Sequence, residues 1–165
     1  MIEILILYIL YRETNTLYGI HKIIKERFLH LNSATFGSIH PAVARLLEKG
    51  FLQEKRTISN GGRKKNIYSI TKSGQTQLLS SYDSEISFNL NNLEKQISTK
   101  LACADILDEA TKKIFYLKII RYYEHRIALF TKMLKNKDYT PLQEGQLKIF
   151  IEGYQKEVNL LKNLS

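Results

Sequence analysis

The chain has 165 residues, 44% of them apolar, and a formal net charge of +9 from 25 Lys and Arg against 16 Asp and Glu. This apolar share builds a folded core and excludes a disordered chain. Cys103 is the single cysteine, which excludes an intrachain disulfide and a two-cysteine metal site. The longest apolar run, residues 4–11, is shorter than the roughly 20 residues of a membrane-spanning helix. We therefore expect a cytoplasmic protein with no membrane partner.

The positive charge is unevenly distributed. Residues 1–75 hold 12 Lys and Arg against 5 Asp and Glu, whereas residues 76–165 hold 13 against 11. A polyanion such as nucleic acid is therefore expected to bind the first half. The densest cluster surrounds the Asn60-Gly61-Gly62 turn and consists of Lys55, Arg56, Arg63, Lys64 and Lys65. The same cluster is also compatible with a plain solvated hairpin.

Apolar residues spaced by three and four predict helices over residues 2–12, 17–29 and 35–49. Thr35 or Ser33 can cap the third helix, and Gly50 suits the position after its end. Pro41 lies inside this helix and is expected to bend it, because proline removes one backbone hydrogen bond.

After Gly50 the apolar period changes from 3.6 to 2. Residues 51–58 and 66–71 are predicted strands, residues 59–62 form the turn between them, and a further helix begins near Thr71. Three helices, a hairpin and a helix are the order of a winged helix-turn-helix, a mainly α fold with a small two-stranded wing. In that fold the third helix enters the major groove and the wing lies along the backbone or in the minor groove. Because the basic cluster falls on the wing, charge and element order together predict binding to double-stranded DNA.

Three blocks follow one another in this half: Tyr18-Gly19-Ile20, residues 37–52 beginning Gly37-Ser38-Ile39-His40-Pro41, and residues 61–74 beginning Gly61-Gly62-Arg63. Together they resemble the PadR family of bacterial transcriptional regulators. His40 stands where the family usually has a tyrosine that approaches DNA. The C-terminal half is similar to the subgroup with a long helical C-terminal domain, typified by AphA-like virulence activators. The resemblance implies a DNA-binding homodimer.

The predicted DNA contacts lie on the second helix, the third helix and the wing. Short polar side chains at the start of the third helix reach base edges, and cations on the wing reach phosphates. Thr35 and Ser38 are alternatively only caps, Arg45 alternatively only pairs with Glu48, and Tyr68 of the second strand is interpreted as a packing residue. The predicted contact residues are Tyr18, Thr35, Ser38, His40, Arg45, Arg63, Lys64 and Lys65.

A near-heptad stripe opens the C-terminal half and predicts one helix of about 27 residues. Two further helices are predicted to start at Asp108 and at Thr140-Pro141. We expect a DNA-binding domain over residues 1–75 and a helical dimerisation and effector domain over 76–165; a self-contained three-helix bundle is the alternative. Two-fold pairing suits a pseudo-palindromic operator. The predicted dimerisation residues are Leu78, Tyr82, Ile86, Leu90, Leu93, Ile97 and Leu101.

The sequence shows no phosphate-binding loop, no metal-ligand spacing among its four histidines and no nucleophile with a base. We therefore expect no enzyme, no metal and no cofactor. The predicted function is a sequence-specific transcription regulator, a dimeric repressor modulated at the C-terminal helices by an unidentified small molecule or partner; activation stays open. The alternatives are a ligand sensor, a MarR-type regulator, and a protein–protein adaptor that reads no DNA sequence.

Overall fold

The computed structural model describes residues 1–31, 35–58, 62, 64–83, 93–135 and 138–164. The chain divides into two compact units, Met1–Ala104 and Asp105–Ser165. The domain boundary expected at residue 75 lies inside the first unit. None of the helices that the structure describes is long and apolar enough to cross a membrane.

The first unit contains the three helices, the hairpin and the following helix in the predicted order. β1 and β2 pair antiparallel from Leu52 opposite Ile70 to Ile58 opposite Lys64. The mainly α winged helix-turn-helix fold is thus confirmed. The elements are α1 Ile2–Arg12, α2 Leu17–Arg27, α3 Phe36–Glu48, β1 Leu52–Ile58, β2 Lys64–Ile70, α4 Lys72–Asp83 and α5 Leu93–Ala102.

The apolar N-terminal run forms the centre of this unit. α1 buries five consecutive or near-consecutive residues between 5 and 10, and it packs against α3, α4 and β2. α3 adds Ile39, Val43 and Leu46, each at most 2% exposed. Burying such side chains stabilises the fold by about 1.5–3 kcal/mol each. α1 is therefore the element on which α3, α4 and the hairpin rest.

The segment before α2 explains the glycine of the Tyr-Gly block. Asn15 pairs with Tyr68 of β2 through two backbone hydrogen bonds of 3.0 and 2.7 Å. Thr16 caps α2 by accepting from the backbone N–H of Gly19 at 3.1 Å. A Cβ at Gly19 would lie 1.8 Å from Asn15 Oδ1. Glycine suits this position because the backbone of α2 passes close to the Asn15 side chain, which would have to turn aside for a residue with a Cβ.

α3 ends at a glycine, as predicted. Gly50 has a φ of +69°, and the N–H groups of Gly50 and Phe51 donate to Leu47 O and Leu46 O at 2.9 Å each. This pair of bonds is the Schellman arrangement that closes a helix C-terminus. α3 itself continues through Pro41 without interruption.

The start of α4 is hydrogen-bonded to the turn between α3 and β1. The Thr71 hydroxyl accepts from the backbone N–H of Gly74 at 3.1 Å and lies 2.7 Å from Gly50 O, to which it donates. Ser73 also donates to Gly50 O, at 2.9 Å. A Cβ at Gly74 would lie 2.1 Å from Phe51 O, so the close approach of α4 to the α3–β1 connection requires glycine.

The prediction of a single helix of about 27 residues after the wing is wrong. The Tyr82 hydroxyl of α4 donates to the backbone oxygen of Lys100 in α5 at 3.3 Å, and the Lys100 ammonium donates to Ser81 O. In one continuous helix, residues 82 and 100 would be about 27 Å apart. α4 and α5 are therefore two helices that lie side by side. The spacing of three and four is the same for two short helices as for one long helix, so the stripe alone cannot distinguish them.

The predicted dimerisation stripe is mostly buried within the single chain. Four of its side chains are at most 2% exposed within the single chain, Leu101 is partly exposed, and Ile86 and Leu90 lie outside the described residues. Side chains that the protomer already covers leave little surface for a second copy. The four buried residues are Leu78, Tyr82, Leu93 and Ile97.

The second unit is an antiparallel pair of helices, α6 Glu109–Met133 and α7 Pro141–Asn163. Both begin as predicted. Asp108 caps α6 by accepting from Thr111 N at 2.9 Å, and Thr140 forms a capping box at the start of α7. Between the helices, the rings of Tyr123 and Tyr154 stack 5.2 Å apart.

Candidate nucleic-acid interface

α2 and α3 are joined through an aromatic contact, and polar side chains surround it. The rings of His21 and Phe36 meet edge to face at 5.3 Å. Tyr18, the second residue of α2, is 69% exposed. It borders a shallow recess of about 400 Å³ whose remaining lining is His21, Lys22, Lys25, Glu26 and Leu29. The recess combines an aromatic ring with the ammonium groups of Lys25 and of Lys22, whose Nζ lies 3.9 Å from Glu26 Oε1, and such groups suit a phosphate backbone.

The N-terminus of α3 presents two hydroxyl groups. Thr35 occupies the cap position, but its side chain makes no capping hydrogen bond. Instead its backbone oxygen accepts from Ser38 N at 3.0 Å and from Ser38 Oγ at 2.9 Å. The alternative that Thr35 acts as a side-chain cap is therefore wrong. The Ser38 hydroxyl keeps its lone pairs free to accept from an outside donor.

One face of α3 is exposed and carries two of the predicted contact residues. Ser38 and His40 are both exposed, at opposite edges of this face, because residues two apart on a helix are separated by about 200°. The opposite face packs into the unit through Ile39, Ala42, Val43 and Leu46. A helix with one buried face and one exposed polar end has the form of a recognition helix.

Arg45 lies on the same helix but has a partner on α1. Its Nε is 2.9 Å from Glu3 Oε1, and Lys49 Nζ is 3.9 Å from Glu3 Oε2. The alternative in which Arg45 pairs with Glu48 is therefore replaced by a pair with Glu3. Since both side chains are partly exposed, the pair contributes at most about 1 kcal/mol to stability.

The register of the wing separates two lysines that the sequence analysis grouped together. Neighbouring residues of a strand point to opposite faces, so Lys64 and Lys65 lie on different faces of the hairpin. Arg56 is directly opposite Asn66, and both share the face of Lys64. These three residues, with Thr57 and Ile58, line a recess of about 410 Å³. Arg56 was not among the predicted contacts, and strand alternation is the signal that groups it with Lys64.

The cations of the wing face solvent. Lys55, Arg56, Lys64 and Lys65 are exposed, and within the described ranges none of them forms an ion pair. Arg63 lies outside the described residues. A solvent-facing group of like charges on a projecting hairpin favours an anionic partner.

Tyr68, at the base of the wing, is a packing residue, as interpreted from the sequence. It is 8% exposed. Burial, and next a hydrogen bond with Glu54 across the sheet, raise the pKa of the Tyr68 phenol above its ordinary value. The phenol therefore stays neutral and holds Glu54 at the base of the hairpin.

Comparison with known families decides the assignment. The family model described as "Transcriptional regulator PadR-like family" matches residues 6–80. This N-terminal domain belongs to the PadR-like family. Its members are transcriptional regulators, in agreement with the prediction that the chain is not an enzyme. The match spans α1 to α4 and therefore includes both helices of the helix-turn-helix and the whole wing.

Several solved structures resemble the chain along its length. The protein smu.1604c from Streptococcus mutans UA159 is 24% identical and covers 98% of this chain and 96% of its own, with a TM-score of 0.47. Bacillus subtilis PadR in complex with operator DNA is 18% identical, covering 98% and 94%, with a TM-score of 0.47. The Vibrio cholerae virulence activator AphA is 14% identical, covering 99% and 95%, with a TM-score of 0.45. At these values the family assignment rests on residues 6–80. Comparison with curated proteins gives no match.

Proposed function

We propose that this PadR-like protein is a sequence-specific transcription regulator of the cytoplasm that represses by occupying a pseudo-palindromic operator as a homodimer. The observation that carries the proposal is the combination, in one PadR-like domain, of an exposed α3 face with a wing whose four described cations have no acidic partner among the described residues. The electrostatic attraction of such cations for phosphates supplies much of the affinity for DNA.

Each part of the domain has a role in this proposal. α3 enters the major groove with Ser38 and His40 towards base edges, and Thr35 donates its hydroxyl to a phosphate. α2 follows the backbone through Tyr18. On the wing, Arg56 and Lys64 contact the DNA together with Arg63, whereas Lys65 and Arg45 make weaker, peripheral contacts. Arg45 is peripheral because its guanidinium is shared with Glu3.

Dimerisation is assigned to the second unit instead of the buried stripe. α6 and α7 expose large apolar side chains, each between 41% and 75% exposed. So many exposed apolar side chains indicate a protein partner. A second copy of the chain would cover the apolar residues of both α6–α7 pairs through one two-fold contact. Modulation by a ligand or partner at these helices belongs to the same proposal. The exposed residues are Ile114, Leu117, Leu129, Leu142, Ile149, Phe150 and Leu160, with Leu164 directly after α7.

Two wing variants with equal loss of charge test the DNA contact. The first replaces Arg56 and Lys64 by alanine, and the second replaces Lys55 and Lys65, which lie on the opposite face of the same hairpin. Fluorescence anisotropy is measured at several salt concentrations with the best duplex selected from a random 30-base-pair pool. We expect the salt slope to fall by about 2 for the first variant and by less for the second. Equal slopes for both variants and the wild type would remove the wing from the interface.

The same assay tests sequence reading and repression. We expect the selected duplex to bind at least about 100-fold more tightly than a scrambled duplex. Equal affinities would refute the regulator and favour a protein–protein adaptor on a winged fold. A reporter driven from a promoter that contains the selected site distinguishes repression, which lowers its output, from activation.

The dimer is tested on α7. Ile149→Glu places a carboxylate in the exposed apolar face, while Gln155→Glu adds the same charge at an exposed polar position of the same helix. Light scattering after size exclusion is expected to show a monomer for the first variant and a dimer for the second. A dimer that persists in Ile149→Glu, at every concentration tested, would contradict the assignment to this face.

A further inference from the structure

Two cations at the end of α3 share one carboxylate of α1. Arg45 lies in the last turn of α3, and Lys49 follows the helix directly. Arg45 Nε donates to Glu3 Oε1 at 2.9 Å, and Lys49 Nζ lies 3.9 Å from Glu3 Oε2. The spacing of four residues places both cations on the same side of the helix. One negative charge is therefore held between two positive charges.

The position of the Glu3 carboxylate is fixed by the core. Glu3 lies in the first turn of α1, where the positive end of the helix dipole favours a carboxylate. Leu5 and Ile6 of the same helix are fully buried, and α1 packs against α3. Glu3 is thus presented to the two cations by a buried helix, so that the ion pairs do not depend on a loop.

These ion pairs contribute little to stability, because water already solvates each charge. The side chains of Arg45 and Lys49 are 51% and 53% exposed, and that of Glu3 is 29% exposed. The same three groups have a larger influence on an approaching polyanion. The Glu3 carboxylate offsets one of the two positive charges that phosphates would otherwise meet at this end of α3.

The two cations lie where the proposed interface brings the DNA backbone close. Arg45 comes seven residues, or two turns, after Ser38, so both side chains leave α3 at nearly the same angle, about 10 Å apart along its axis. The major groove is about 12 Å wide. When Ser38 at the start of α3 faces base edges, Arg45 and Lys49 at the other end are therefore placed near the phosphates.

We propose that Glu3 restrains DNA binding: its carboxylate competes with phosphates for Arg45 and Lys49, and it thereby lowers the affinity for DNA of every sequence. On DNA, the two cations contact phosphates only by giving up part of their attraction to Glu3. The proposal rests on the proposed function, since it requires α3 to lie against DNA. It adds a residue of α1 that sets affinity through its neighbours.

The first test removes the charge of Glu3 and keeps its shape. Glu3→Gln retains an oxygen that accepts from Arg45 Nε, so only the competing charge is lost. Anisotropy with the full-length protein is expected to show tighter binding to both the selected and the scrambled duplex. The salt slope should steepen by about 1.8 for each bound protomer, or 0.9 for each of two phosphates, so that affinity falls about 12-fold further between about 50 and 200 mM salt.

The opposite results are equally informative. Weaker binding by Glu3→Gln would show that Glu3 orients Arg45 for DNA, and unchanged binding with an unchanged salt slope would show that the carboxylate does not compete with phosphates. Either result would overturn the proposal.

Glu124→Gln is the matched control. Glu124 accepts from Lys162 Nζ at 2.8 Å in the second unit, so the substitution removes the same charge and a comparable ion pair outside the DNA-binding unit. We expect its affinities and salt slope to equal those of wild type, and the melting temperatures of both variants check that each is folded. Tightening as large in Glu124→Gln as in Glu3→Gln would indicate a general effect of net charge and refute the proposal.

The second test is a double-mutant cycle. The change caused by Glu3→Gln is measured in wild type and in a protein that carries Arg45→Gln and Lys49→Gln. We expect the tightening to disappear when both cations are absent, since the carboxylate then holds nothing that phosphates would bind. Tightening of the same size in both backgrounds would show that Glu3 only repels DNA directly, and the competition would be refuted.

The outcomes separate this inference from the proposed function. If the pool yields no duplex preferred over random DNA, the sequence-specific regulator fails, while the effect of Glu3 is still measured on random duplexes. If a preferred duplex is found and Glu3→Gln binds it no more tightly than wild type does, the regulator stands and the restraint alone is refuted.

Discussion

Alanine in place of Gly74 introduces a Cβ 2.1 Å from Phe51 O and 2.8 Å from Ile70 Cγ1. The obstacle is a backbone oxygen that already accepts from Thr71 N at 3.0 Å, so it cannot rotate away as a side chain does. Relief requires α4 to move by more than about 1 Å, and overpacking of this kind costs up to about 3 kcal/mol. Because alanine favours a helix more than glycine does, it offsets about 1 kcal/mol of this cost. The free energy of unfolding should therefore fall by about 2 kcal/mol, which lowers the melting temperature by roughly 8 °C.

Two other glycines provide matched comparisons in the same assay, thermal unfolding followed by circular dichroism. Gly19→Ala meets the Asn15 side chain, which can turn aside but then loses its 2.9 Å bond from Thr16 N, at a cost of about 1 kcal/mol. Gly145→Ala in α7 meets nothing within 4 Å and should stabilise by up to about 1 kcal/mol. Alanine also returns about 1 kcal/mol of helix propensity at Gly19, so we expect the melting temperature to be highest for Gly145→Ala, close to wild type for Gly19→Ala, and lowest for Gly74→Ala.

This order is a direct test of the local geometry. A Gly74→Ala protein that melts at or above the wild-type temperature would show that α4 is not packed on Phe51 O as described. Equal losses at Gly74 and Gly145 would show that the change of residue, and not the space around it, sets the effect.

Two further predictions concern the starts of the C-terminal helices. Thr140→Ala removes the capping-box bond that Gln143 N donates to Thr140 Oγ1 at 3.3 Å, but keeps the backbone N–H that donates to Gln143 Oε1 at 2.8 Å; urea unfolding should show a loss of about 1 kcal/mol. At Asp108, bonds from the backbone N–H and then the hydroxyl of Thr111 lower the carboxyl pKa below its ordinary value of 3.8. The stabilisation is thus present above that value and is lost as the pH falls through the lowered pKa. Asp108→Asn should flatten the dependence of stability on acid pH, and an unchanged acid profile would exclude this role.

The order of elements in the first unit could be predicted because each element carries its own local signal. Gly50 ends α3 and Thr16 caps α2 within a few residues of the chain. The two helices after the wing could not be distinguished from one, because their proximity depends on the bond from Tyr82 to Lys100, 18 residues apart. Local spacing carries no information about such a contact.

The candidate site was predictable in its residue types and less so in its geometry. The sequence places cations on the wing. Only the strand register shows that Lys64 lies on the same face of the hairpin as Arg56, while Lys65 lies on the other face. The partner of Arg45 is Glu3, 42 positions earlier, whereas the sequence suggested the adjacent Glu48. Pairings across long separations in the chain depend on the packing of α1 against α3.

The short pairing of Asn15 with Tyr68 has a consequence for the free protein. A two-stranded hairpin has two edges, each of which can accept a strand from another molecule and start aggregation. Asn15 occupies the edge of β2 at its base with two hydrogen bonds. Towards the tip, Lys55, Lys64 and Lys65 keep approaching strands apart by charge, since lysine at a strand edge opposes such pairing. Lys64 and Lys65, which are proposed to contact DNA, therefore also oppose pairing of the hairpin with other strands while no DNA is bound.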